Sequence, residues 1–196
     1  MKYQRILFFL TIALFFATSA LADKTILAGG CFWCMESDFE KLTGVTDVVS
    51  GFTGGTLKNP TYNGNHEGHY EAVEITYDPN QVSYQQLLDH YWVNIDPFDD
   101  RGQFCDKGHS YLAAIFVANK AERAIAEESK RRVVAMFPDQ KVVTPILDAS
   151  TFYPIKGSES YHHDYYKNNP IRYNAYRWNC GRDQRLRDIW GDKATH

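Results

Sequence analysis

Apolar and polar positions along this chain repeat with two different periods, and each change of period marks an element. Lys24 to Ala28 reads as a short buried strand that ends at Gly29-Gly30. From Phe32 to Leu42 the period becomes helical, with Phe32, Met35, Phe39 and Leu42 on one face and Gly44 placed to stop the helix. Val48 to Phe52 is a second strand candidate, broken by Gly54-Gly55. Residues 56–70 carry Asn59-Pro60, Asn63-Gly64 and Gly68 and read as a loop. Val73, Ile75 and Tyr77 then alternate with Glu74 and Thr76, the pattern of a half-buried strand. Ser83 and Gln86 form a capping box ahead of Tyr84, Leu87, Leu88, Tyr91, Trp92 and Ile95, the cleanest helical stripe in the chain.

Asp96 to Gly108 reads as a polar loop and Tyr111 to Ala118 as a strand. Asn119 with Glu122 caps a long charged helix to about Phe137. Val142 to Leu147 is a further strand candidate, interrupted by Pro145. From Phe152 the chain is tyrosine-rich and irregular, with a last short helix over Asp183 to Trp190. The order strand, helix, two strands, helix, strand predicts an α+β two-layer sandwich with a split βαβ, ferredoxin-like core and an irregular C-terminal extension.

The first residues carry a different pattern. Lys2 and Arg5, the apolar run Ile6 to Ala17, and Ala20-Leu21-Ala22 match the charged, apolar and A-x-A parts of a secretory signal peptide. Residues 1–22 are expected to be removed, leaving 23–196 as a single domain in an exported, periplasmic protein. The apolar run is too short for the roughly 20 residues that span a bilayer, so no stable membrane contact is expected after cleavage. A net charge of −3 gives no basic face for nucleic acid.

Export permits disulfides, and the four cysteines, Cys31, Cys34, Cys105 and Cys180, allow two bridges in three connectivities. Cys31 nevertheless sits where a reactive thiol belongs, on a glycine turn at a predicted helix N-terminus. A free thiol with pKa about 8.5 is mostly protonated at neutral pH, and the helix end favours its thiolate. Cys34 lies one turn further on. A bridge closing so short a loop restrains the unfolded chain little. A zinc site needs a second paired set, which the distant Cys105 and Cys180 do not supply. A redox-active pair fits, and spacing alone also admits a thiol–disulfide oxidoreductase. Phe32 and Trp33 between the cysteines suit a pocket that holds a small apolar group, such as a thioether methyl. Both also fit simple core packing.

Gly30-Cys31-Phe32-Trp33 resembles the signature of the A-class peptide methionine sulfoxide reductases. Asn59-Pro60-Thr61-Tyr62, Gly68 to Val73, Asp96-Pro97 and Asp106-Lys107-Gly108 running to Tyr111 follow in that family's order. The resemblance implies thiol-dependent reduction of methionine S-sulfoxide, free or in oxidised proteins and peptides, without a cofactor or metal. It implies Cys31 as nucleophile, Glu71 as proton donor, and Tyr62, Tyr111 and Asp106 as the polar network at the oxygen. Phe32 and Trp33 become the wall at the methyl group. Glu71 shares its strand face with Val73, Ile75 and Tyr77, so burial is expected to keep its carboxyl protonated.

Attack leaves Cys31 as a sulfenic acid, which a second cysteine condenses with before a thioredoxin-like partner reduces the disulfide. Many members lack a cysteine at the position of Cys34 and resolve from the C-terminal tail. This chain has both Cys34 and Cys180, so either is a candidate resolver, and Cys105 is a relay, a bridge to Cys180 or inert. The rival functions are an envelope thiol–disulfide oxidoreductase and an exported binding domain with two structural bridges. His162-His163 offers no metal pair, because adjacent side chains do not face one site.

Overall fold

A computed structural model describes residues 22–194. The leader expected over residues 1–22 therefore lies almost wholly outside the described residues. In chain order the elements are β1 (Asp23–Gly29), α1 (Phe32–Phe39), β2 (Val45–Thr53), β3 (Tyr70–Tyr77) and α2 (Tyr84–Trp92). The short strands β4 (Gly102–Gln103) and β5 (Asp106–Lys107) follow, then β6 (Ala113–Val117), α3 (Lys120–Met136), β7 (Ile146–Asp148) and β8 (Tyr153–Pro154). Helices α4 (Tyr165–Asn168), α5 (Pro170–Asn179) and α6 (Arg182–Trp190) complete the chain.

The six-stranded sheet runs β7-β6-β1-β3-β2-β8. Its middle four strands, β6-β1-β3-β2, are all antiparallel to their neighbours. With α1 and α2 as the two crossovers, this is the expected split βαβ core. Strand β7 extends the sheet parallel to β6 through α3, and β8 closes the opposite edge beside β2.

The helical stripe of α2 works as its spacing predicts. Ser83 Oγ accepts from the Gln86 N–H while Gln86 Oε1 accepts from the Ser83 N–H, closing the capping box. Leu87, Leu88, Tyr91 and Ile95 are fully buried in one cluster with Leu27, Met35, Phe39, Val73, Ile75 and Ile115. Tyr91 adds a hydrogen bond from its hydroxyl to the Ala28 carbonyl at 2.8 Å, which fixes α2 against β1. On the other sheet face, Ala28, Ala72, Ala114 and Phe116 form a smaller cluster.

Besides small extensions such as the start of β2 at Val45 rather than Val48, four boundaries differ from the sequence expectation. Helix α1 ends at Phe39 rather than Leu42, and Gly44, at φ 95°, serves the turn into β2. The expected polar loop 96–108 contains the β4–β5 hairpin, with Phe104 in the left-handed region at φ 54°. Tyr111 belongs to a single 3-10 turn closed by its N–H onto the Gly108 carbonyl, so β6 begins only at Ala113. Pro145 lacks the N–H a strand needs, and β7 is confined to Ile146–Asp148 while the Pro145 carbonyl accepts from Ile115.

The C-terminal extension departs furthest. Residues 165–190 are mostly helical, where the sequence suggests irregular chain with one short helix. These helices are held by buried arginines. Arg177 donates to both carboxylate oxygens of Asp38 at 2.9 and 3.1 Å and to Asp183 at 2.8 Å. Arg182, only 2% exposed, donates to the carbonyls of Gly29 and Asn94 at 3.3 and 2.7 Å. The extension is thereby clamped onto α1 and onto the turn that precedes it. Among the described residues no helix is long and apolar enough to cross a membrane.

Candidate active site

The strand β1 ends in Gly29-Gly30, and the turn into α1 is too tight for side chains. Gly30 has φ 84°, and a Cβ there would sit 2.6 Å from Cβ of Gln103. Cys31 follows as the N-cap of α1, with its carbonyl accepting from Cys34 and Met35. Its own side chain makes no capping bond, which leaves the sulfur free to face the cleft.

Glu71 occupies the capping space instead. It pairs with Phe52 across β2 and β3, lies on the helix-covered face of the sheet, and is 1% exposed. Its Oε2 accepts from the Phe32 N–H at 3.2 Å, at the first turn of α1. Burial pushes the Glu71 carboxyl up to about 8; the Phe32 N–H opposes this, and Asp106 and Cys34 add to it. The group is thus a protonated acid at neutral pH, as expected from its place on the strand.

A small cleft of about 60 Å³, room for only a few water-sized volumes, is lined by Cys31, Phe32, Trp33, Tyr62, Glu71, Asp106, Tyr111 and Tyr176. Seven of these are the nucleophile, acid, network and wall residues named from the sequence, drawn from α1, β3, β5 and two loops. Burial raises Tyr62 to about 12 and holds Tyr111 well above the ordinary tyrosine value, so both keep their hydroxyl protons. Asp106 is also pushed up, first by burial, against the pull of Tyr176, Arg182 and Lys107.

Tyr176 and His162 were not visible from the sequence. The Tyr176 hydroxyl, on α5, donates to Oδ2 of Asp106 and is also within hydrogen-bond reach of the Cys31 sulfur. His162 is fully buried, and its Nδ1 accepts from the Trp33 indole N–H at 2.9 Å. The His162 ring lies 4.0 Å from that of Tyr62 and 5.5 Å from that of Phe32, so it braces three cleft residues at once. Tyr165 also stacks on Trp33, with centroids 3.8 Å apart. The adjacent His163 turns away to the Ile155 carbonyl, so the two histidines do not share a site.

Cys31 and Cys34 are both free and both buried, 6% and 2% exposed. Their side chains are hydrogen-bonded to each other, and they titrate as a pair. Burial, then the contact with Cys34 and the charge of Glu71, push the Cys31 thiol well up, with Tyr176 opposing. Cys34 is drawn down to about 7, first by the hydrogen bond from Cys31 and then, against burial, by Arg182 and Arg177. Burial opposes the helix N-terminus at Cys31, while Arg182 and Arg177 favour a negative charge on the neighbouring Cys34.

Cys180 is joined to Cys105 in a disulfide. Of the two candidate resolvers, only Cys34 is a free thiol in contact with Cys31. Among the described residues two clusters have metal-like donor spacing, Cys105–Asp106–Cys180 and Glu36–Glu40–Asp164. The first has its sulfurs bonded to each other. In the second, Glu36 accepts from Ser50 and from the Asp164 N–H, and Glu40 is engaged by Tyr166 and Lys167. Neither carries an assignment as a metal centre.

The chemistry of this arrangement has close relatives. The family profile described as peptide methionine sulfoxide reductase matches residues 23–194. The chain is 48% identical over 199 residues to peptide methionine sulfoxide reductase MsrA 2 of Caulobacter vibrioides, covering 97% of this chain and 100% of that one. Among solved structures it is similar to methionine sulfoxide reductase A of Corynebacterium diphtheriae, with TM-score 0.66 and 29% identity over 79% of this chain and 78% of that one. Mxr1 from Saccharomyces cerevisiae, solved in complex with Trx2, shares the fold with TM-score 0.52 and 19% identity over 69% of this chain and 82% of that one. On the profile match and this identity, the chain belongs to the peptide methionine sulfoxide reductase A family.

Proposed function

We propose that Cys31 attacks the sulfur of methionine S-sulfoxide while Glu71 delivers a proton to the departing oxygen. The observation that carries this reading is the pairing of a free thiol with a buried, protonated carboxyl on the wall of one small cleft. The thiolate forms by passage of one proton across the Cys31–Cys34 hydrogen bond, moving the shared charge to Cys31. Tyr176 steadies it there. Tyr62 and Tyr111, which keep their protons, are suited to donate to the sulfoxide oxygen, and Asp106 orients Tyr176. Phe32 and Trp33, fixed by His162 and Tyr165, bound the space for the methyl group.

Methionine leaves and one oxygen is retained on Cys31 as a sulfenic acid, so water is lost only when this group condenses with a second thiol. Cys34 condenses with it, because it is already in contact and one helical turn away. The resulting disulfide is exchanged outward to Cys105 and Cys180, whose bridge is then reduced by a thioredoxin-like dithiol. The yeast relative solved with Trx2 supports a partner of that class. The pattern of residues 1–22 supports export to the periplasm, which N-terminal sequencing of the native protein checks.

Turnover with dithiothreitol on the two epimers of a methionine sulfoxide peptide tests the reading. The S epimer is converted and the R epimer is not. Conversion of neither, together with efficient reduction of insulin disulfides, is the signature of the rival thiol–disulfide oxidoreductase.

A further inference from the structure

The two sulfurs of the Cys105–Cys180 bridge are unequal. Cys105 lies at the exposed tip of the β4–β5 hairpin, whereas Cys180 is half-buried at the C-terminal end of α5, one turn beyond Tyr176. The backbone N–H of Cys105 donates to Sγ of Cys180 at 3.3 Å. Asp106 does not distinguish the two, with one carboxylate oxygen 3.7 Å from Sγ of Cys105 and the other 3.9 Å from Sγ of Cys180. The Cys31–Cys34 pair is closed to any protein reductant by its burial and by the size of the cleft.

Thiol–disulfide exchange depends on access to the attacked sulfur and on how well the leaving sulfur carries negative charge. Both factors favour the same choice here. An incoming thiolate reaches the exposed sulfur of Cys105, and the displaced sulfur of Cys180 is met by an N–H donor. We propose that reducing equivalents enter the protein at Cys105, with Cys180 as the leaving sulfur that faces the active site. This rests on the sulfoxide reductase reading and assigns the two tail sulfurs opposite roles.

The step balances as follows. The thiolate of an external dithiol bonds to Sγ of Cys105 as the Cys105–Cys180 bond breaks, and the electron pair leaves on Cys180, which takes a proton from solvent. The second thiol of the reductant then attacks its own sulfur in the mixed disulfide and releases Cys105. The reductant ends as a disulfide, and the protein gains two thiols. Cys180, half-buried and 3.9 Å from Oδ2 of the Asp106 that lines the cleft, is then the sulfur assigned to exchange with the Cys31–Cys34 disulfide.

The test is to trap the mixed disulfide. The oxidised full-length protein is incubated with a thioredoxin whose second cysteine is replaced by serine, and the adduct is mapped by peptide mass spectrometry. The expected adduct joins thioredoxin to the peptide containing Cys105, with Cys180 recovered as a free thiol. An adduct mainly on Cys180, on Cys31 or on Cys34 overturns the proposal, and so does the absence of any adduct while the Cys105–Cys180 bridge is intact. Dithiothreitol-driven sulfoxide reduction by the same sample separates this failure from failure of the enzymatic reading.

Discussion

The Phe32 N–H donates to Oε2 of Glu71 at 3.2 Å, so the carboxyl that faces the cleft is tied to the first turn of the helix that Cys31 caps. Strand β3 and helix α1 thus meet at the reacting groups. Glu71→Gln keeps an acceptor for this N–H but removes the acid. General acid catalysis contributes about 10²–10⁴-fold, and single-turnover formation of methionine is expected to slow by that order in quenched-flow assays at pH 7.

The same carboxyl makes a prediction about stability. Glu71 holds its proton to about 8 in the folded protein, against about 4.3 in an unfolded chain. Between those values the folded state binds more protons, so the contribution of Glu71 to stability is lost as pH rises through this window. Glu71→Gln removes that dependence. The variant is expected to gain on the wild type from pH 5 to pH 8, by an amount on the order of a few kcal/mol at the upper end. Urea unfolding of both proteins at matched pH values measures it; a constant difference across the range contradicts the buried protonated state.

Replacing Cys34 separates the first chemical step from the second. Cys34→Ser retains one turnover of sulfoxide per protein, and the sulfenic acid at Cys31 then persists long enough for dimedone labelling. Thioredoxin-driven cycling falls by roughly tenfold or more, the loss of an intramolecular partner held in place. Cys34 is the thiol drawn down, to about 7, so the low-pH step in the alkylation profile of the wild type is lost in this variant. Unchanged cycling would return the resolving role to the tail.

Tyr176 spans the Cys31 sulfur and Asp106. Tyr176→Phe removes a hydrogen bond to a charged sulfur, worth about 1.5–3 kcal/mol, and the reduction step slows by roughly tenfold to a hundredfold. Because the hydroxyl favours the Cys31 thiolate, the alkylation profile of Cys31 shifts to higher pH. A purely packing role for Tyr176 leaves that profile in place.

Local patterns carried most of the core into view. The capping box at Ser83 and Gln86, the stripe of α2, and the inward face of β3 depend on neighbours three or four residues apart, and each folds as its spacing dictates. The cleft residues of α1 and β3 were equally legible. Among the C-terminal helices α6 was legible, expected over Asp183 to Trp190 and found over Arg182–Trp190, but α4 and α5 were not. The buried stripe of α5 is Tyr173 and Arg177, partly charged, so hydrophobic periodicity fails to mark it. Arg177 and Arg182 are buried only because Asp38 and the carbonyls of Gly29 and Asn94 receive them from elements more than 80 residues away. Tyr176 reaches the cleft on α5 and His162 on the 3-10 turn that precedes α4, which is why nothing near Cys31 in the sequence announces them.

The most direct test of the central claim is turnover of a methionine S-sulfoxide peptide with dithiothreitol by the wild type and by Cys31→Ser. The wild type is expected to form methionine continuously, and Cys31→Ser to form none in a single turnover while keeping the circular dichroism spectrum of the fold. Methionine formed by folded Cys31→Ser at a rate near that of the wild type would contradict the assignment of Cys31 as the attacking group.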